Sequence, residues 1–80
     1  MNHIVISCIG ADQAGIVDTL SNIINEQEGN WQVSSLHHLS GFFAGVIEVA
    51  VSESNMKALT SALNSIDNLN CQIEVAKQNA

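Results

Sequence analysis

Two segments of this 80-residue chain repeat their apolar residues at helical spacing, and the segments around them alternate with a period of two. The order of those periods leaves few folds open. Ile16, Val17, Leu20, Ile23, Ile24 and Gln27 fall on one helical face, with Asp18, Ser21, Asn22, Asn25 and Glu26 opposite. Asp12 just before this helix and Asp18 in its first turn suit its positive end. Gly29-Asn30 signals its stop. Met56, Leu59, Leu63 and Ile66 make a second stripe, and Ser52-Glu53-Ser54 supplies its N-cap.

The period-two segments are β-strands. Asn2 to Ile9 sets Ile4, Ile6 and Cys8 on one face and Val5 and Ile9 on the other, which suits a central strand. Trp31 to Leu39 is less regular. Trp31, Val33 and Leu39 share a parity that Leu36 breaks, so a bulge is expected. Ser40-Gly41 turns a hairpin into Phe42 to Val51, with Phe43, Gly45, Ile47, Val49 and Val51 on one face. After a polar turn at Asp67 to Asn70, Cys71, Ile73 and Val75 alternate with Gln72, Glu74 and Ala76. The tail Gln78-Asn79-Ala80 is expected to fray.

Strand, helix, strand, strand, helix, strand is the α+β, ferredoxin-like βαββαβ order in one domain over residues 1–80. One apolar stripe per helix puts both helices on one face of a four-stranded antiparallel sheet. The other face would carry Val5, Ile9, Phe42, Val46 and Ala50. So apolar a face predicts a partner or a second copy.

Charge excludes some partners. Eight Asp or Glu stand against Lys57 and Lys77, and there is no Arg. Phosphate neutralisation needs Lys and Arg, so direct nucleic-acid binding is not expected, nor is attraction to anionic membranes. No apolar run approaches the roughly 20 residues of a membrane span, and the N-terminus lacks the pattern of a signal peptide. The expected compartment is the cytoplasm, where Cys8 and Cys71 default to reduced thiols.

Gly10, Ala11, Asp12, Gln13, Ala14 and Gly15 form a loop into the helix that begins at Ile16. Free N–H groups at a helix N-terminus face an incoming anion such as an amino-acid carboxylate. Gly15 lets the backbone approach closely, and Asp12 or Asn30 would meet an α-amino group. An ordinary capped strand-to-helix turn accounts for the same residues, and Asn30 equally reads as a turn residue.

Other features point to packing and surface. Trp31 reads as core or dimer packing. His37 and His38, adjacent on a strand, point to opposite faces, and with His3 and two separated cysteines no zinc spacing arises, so no metal or other cofactor is expected. Cys8 and Cys71 would lie on adjacent strands, as a redox pair or, more commonly, as free thiols with no basic neighbour in sequence. Ser34-Ser35 reads as strand surface, and the scattered carboxylates as a solvated exterior. With no nucleophile–base arrangement legible, the chain is expected not to be an enzyme. A regulatory fragment of an enzyme is a remote alternative, against which the start at Met1 counts.

Three motifs, in order along the whole chain, resemble the ACT domain family. Asp12-Gln13-Ala14-Gly15-Ile16-Val17 is similar to the Asp-Arg-Pro-Gly-Ile-Val signature at the family's first strand–helix junction. Glu28-Gly29-Asn30-Trp31 resembles the Gly-Gly-Asn-Trp start of its second strand. Leu39-Ser40-Gly41-Phe42-Phe43-Ala44-Gly45 resembles the Leu-Gly-Gly-x-Phe-Ala-Gly hairpin of the glycine cleavage system transcriptional repressor subgroup. Gln13 and Ala14 stand where the family has Arg and Pro, removing a positive charge and a fixed φ from the loop.

The resemblance implies a regulatory domain that pairs side by side with another copy. It implies an amino acid, glycine or similar, bound at that interface between the first loop and the second strand. The subgroup carries two such domains and acts on a DNA-binding activator through protein contacts, which implies a protein partner. The alternative is a ligand-free interaction or dimerisation module, which the altered residues Gln13 and Ala14 favour.

Overall fold

The computed structural model describes residues 2–76, so the expected fraying of Gln78 to Ala80 lies outside the described residues. The elements run β1 (Asn2–Ala11), α1 (Ile16–Glu26), β2 (Asn30–Leu39), β3 (Phe42–Val51), α2 (Glu53–Asn64) and β4 (Leu69–Val75). All pairings are antiparallel, in the order β2-β3-β1-β4. This is the ferredoxin-like βαββαβ fold, with β1 and β3 central and β2 and β4 at the edges.

One face of the sheet packs on both helices. Ile4, Ile6 and Cys8 of β1 and Phe43, Ile47, Val49 and Val51 of β3 are buried there against Ile16, Leu20 and Ile24 of α1 and Leu59 and Leu63 of α2. Of the expected helical face, Val17 is 38% exposed and Gln27 is the C-cap. Ile66 lies beyond the end of α2, although it still packs against the core. No helix among the described residues is long and apolar enough to cross a membrane.

The bulge falls between Trp31 and Val33. It corrects the parity read from sequence. Trp31 opposes buried Val49 and Leu36 opposes buried Gly45, so these two share the core face, while Val33 opposes Glu48 and turns out. The extra residue, Gln32, switches the alternation of all that follows. Gly45 makes room for this packing, because a Cβ there would stand 2.7 Å from Leu36 Cδ2.

Turn chemistry explains the connections. Ser40 (φ 52°) and Gly41 (φ 81°) both adopt positive φ between paired Leu39 and Phe42, the two-residue turn whose twist matches the strands. At the end of α1 the left-handed residue is Glu28 (φ 58°), and Gly29 N–H donates to the Ile24 carbonyl at 2.9 Å. Ser52 is the N-cap of α2, but its hydroxyl lies 3.2 Å from that of Ser54 and makes no capping bond.

The outer face of the sheet is apolar. Of the residues expected there, Ile9, Phe42 and Val46 are 48% to 55% exposed, Val5 is half-buried and Ala50 is buried, while Val33 and Leu39 of β2 join the exposed part.

Candidate functional site

The loop between β1 and α1 is shorter than its two glycines suggested. Gly10 and Ala11 belong to β1, paired with Phe43 and Phe42 of β3, so the loop proper is Asp12 to Gly15. Gly10 is required by close approach rather than by a turn. A Cβ there would collide with the Asn68 carbonyl oxygen and stand 2.9 Å from Leu69 Cα. Gly15 meets the other requirement: it is the N-cap of α1 in left-handed geometry, φ 77°.

Three neighbours hold this loop. Asp12 N–H donates to the Gly41 carbonyl at 3.0 Å, tying it to the β2–β3 hairpin. Ala11 N–H donates to the Asn68 carbonyl at 3.3 Å, and Gln13 Nε2 to the Asp67 carbonyl at 3.2 Å, tying it to the α2–β4 turn. Gln13, which stands where the resembling signature has arginine, is thus engaged with backbone through its side-chain amide.

Above the loop lies an open hollow of about 470 Å³, lined by the run Asp12 to Asp18 and by His38. The N-terminus of α1 forms its floor. Gly15 makes no side-chain cap, and the first helical bond is Thr19 N–H to the Gly15 carbonyl at 2.9 Å. The amides of Ile16, Val17 and Asp18 precede that bond and have no intrahelical partner, which makes them donors for an anion. Asp12 brings a carboxylate to the same opening, its Oδ2 3.0 Å from His38 Nδ1. Donors on one side and a carboxylate on the other suit a small zwitterion.

The structure therefore brings Asp12, Gln13, Ala14, Gly15 and Ile16 together, with Gly10 and Ala11 leading into them. Asn30 does not join them within one chain. It opposes Ala50, which opposes His3, at the far end of the sheet, roughly 26 Å along β1 from Ala11 at about 3.3 Å per residue. It is a β2 residue and not a turn residue. His38 was not anticipated at the site. The signal lay in the hairpin: a two-residue turn at Ser40-Gly41 brings the end of β2 to the same end of the sheet as the end of β1, with only Phe42 and Phe43 of β3 between. His37 and His38 do diverge, His37 Nε2 meeting Ser35 Oγ at 2.8 Å and His38 packing edge-on to Phe43 at 5.9 Å.

Comparison with known proteins agrees with the architecture. The sequence profile described as ACT domain matches residues 2–76. Among solved structures, a protein of unknown function from Galdieria sulphuraria is 25% identical, with TM-score 0.79, over 99% of this chain and 47% of that one. A candidate glycine cleavage system transcriptional repressor is 20% identical, with TM-score 0.86, over 98% of this chain and 47% of that one. The ACT domain of a GTP pyrophosphokinase from Chlorobium tepidum is 17% identical, with TM-score 0.73, over 95% and 100%. The chain thus spans about half the length of the first two. No curated protein matches the sequence. With the fold, the loop and a profile match over nearly all its length in agreement, the chain belongs to the ACT domain family, whose members are regulatory modules.

Proposed function

We propose that this ACT domain senses a small amino acid, glycine or one close to it, in the hollow at the N-terminus of α1. It would act within, or beside, a transcriptional regulator of glycine cleavage that works through protein contacts. The observation that carries the reading is the uncapped helix end opening beside the Asp12 carboxylate. The carboxylate of the ligand would accept from the amides of Ile16 to Asp18, and its ammonium would face Asp12. The likeness to the repressor fold and the Leu39 to Gly45 hairpin motif support the regulatory context.

A second copy would complete the site. β2 is an edge strand, free to pair. A two-fold antiparallel pairing centred on Ser35, with the bulge residue Gln32 left unpaired, would set Asn30 of a second copy opposite Leu39, beside His38 and Asp12. Asn30 and the loop then serve one ligand from two chains. Binding shifts pairing or partner affinity only if the ligand prefers one of the two states.

Thermal unfolding with each common amino acid at millimolar concentration tests this. A ligand at 100 times its dissociation constant adds about 2.7 kcal/mol, and each kcal/mol raises the midpoint of a domain this size by roughly 4–8 °C. The expected result is a shift confined to glycine or one or two similar amino acids. The exposed apolar sheet face favours a second reading, a ligand-free interaction module, and a flat response across the panel selects it.

A further inference from the structure

Cys8 and Cys71 are direct cross-strand partners of β1 and β4, and their sulfurs lie 2.9 Å apart. The type of pair matters. Ala11 N–H donates to Asn68 and Ala76 N–H to His3, so residues 3 and 76, and 11 and 68, are hydrogen-bonded pairs of this ladder. Counting inward by twos, Cys8 and Cys71 fall on a non-hydrogen-bonded position. There the Cα atoms approach to about 4.5 Å and the side chains are closest. That separation lies within the range disulfides span, roughly 4.4–6.8 Å, so a bond would form without moving the strands far.

We propose that Cys8 and Cys71 form a reversible thiol–disulfide site, oxidised within one chain by a low-molecular-weight disulfide of the glutathione class.

The two thiols are inequivalent. Cys8 is buried in the core beneath the helices, and Cys71 is half-buried on the edge strand. Hydrogen bonding from Cys8 lowers the Cys71 thiol below its ordinary value. The same contact, then burial, pushes Cys8 well up. Cys71 is therefore the attacking thiolate.

The Cys71 thiolate, its proton released to solvent, attacks one sulfur of the small disulfide and breaks that S–S bond. One small thiolate leaves, and a mixed disulfide remains on Cys71. Cys71 then carries no charge, so the interaction that held the Cys8 proton is gone. Cys8 gives up its proton, attacks Cys71 Sγ, forms the Cys8–Cys71 bond and expels the second small thiolate. Two protein thiols are oxidised, one small disulfide is reduced to two thiols, and the two protons released balance the two thiolates.

The bond would pin edge strand β4 to β1 just after the turn whose Asp67 and Asn68 carbonyls hold the β1–α1 loop.

The test is to treat the purified folded chain with oxidised glutathione and follow free thiols and intact mass. Both thiols are expected to disappear with the mass falling by two hydrogens, and a reductant restores both. Cys8→Ser should stop at a stable glutathione adduct on Cys71, and Cys71→Ser should leave Cys8 unmodified. The folded chain should close the bond at least about 100-fold faster than the same chain in denaturant, because the fold supplies the proximity. The oxidised form should unfold roughly 10 °C or more above the reduced form, since the bond constrains the unfolded chain. Two thiols that stay free, a wild-type glutathione adduct that persists, a bond between chains, or equal rates folded and unfolded would each overturn the assignment.

Discussion

His38 Nδ1 stands 3.0 Å from Asp12 Oδ2, so the end of edge strand β2 holds the mouth of the loop that opens onto α1. Both side chains are well exposed, at 63% and 38%. An exposed pair contributes roughly 0.2–1 kcal/mol. His38→Ala should therefore cost less than about 1 kcal/mol in urea unfolding. Amide exchange at Asp12 to Gly15 should nonetheless accelerate, and any amino-acid response should weaken. Unchanged exchange would mean that the Asp12–Gly41 bond alone holds the loop.

Gly15→Val isolates backbone geometry from packing. Nothing lies within 4 Å of a Cβ at Gly15, yet its φ of 77° is one that branched side chains rarely adopt. The strain costs about 1–3 kcal/mol, or else the loop rearranges. Circular dichroism should report a retained fold, and the thermal response to amino acids should vanish. A variant that still responds would remove the α1 N-terminus as the binding site.

At Gly10 the same kind of substitution acts through space. The Cβ of Gly10→Ala would strike the Asn68 carbonyl and push β4 from β1 at the head of the ladder. Urea unfolding should show a loss of roughly 2–4 kcal/mol, well beyond that of an ordinary surface change. Stability within about 0.5 kcal/mol of wild type would mean that the α2–β4 turn yields easily.

Self-association separates the edge of the sheet from its face. Leu39 and Phe42 close the two-residue hairpin, so the odd residues of β2 after the bulge bond to β3 and the even ones turn their N–H groups to the free edge. Ser34→Pro removes one edge donor without cutting the β2–β3 ladder. Sedimentation should find the wild-type chain dimeric, Ser34→Pro monomeric and Phe42→Glu still dimeric. Dissociation by Phe42→Glu alone would place the contact on the outer apolar face.

The elements legible in the sequence were those fixed by local chemistry. Leu20, Ile24, Leu59 and Leu63 reach the core because helical periodicity puts them on one stripe. Phe43, Ile47 and Val49 do so because strand alternation puts them on one face. Ser40-Gly41 turns the hairpin because its backbone tolerates two positive φ angles in succession. The motif around Asp12 to Val17 marked the strand–helix junction for the same reason, since it needs a glycine at the cap.

What depended on distant parts of the chain was decided only by the tertiary structure. A bulge was expected in β2, but its place was set by pairing with β3, and that place groups Trp31 with Leu36 instead of with Val33. Gly10 reads as a loop residue until the α2–β4 turn is seen pressing against it. His38 and Asn30 lie eight residues apart in sequence, yet strand direction sends one to the loop and the other to the opposite end of the sheet. Cys8 and Cys71 could be put on neighbouring strands from sequence order, but only the register sets them face to face. Periodicity records which way a side chain points relative to its own backbone. Register, which fixes whom it meets, is a balance of contacts across the whole sheet and has no local signature.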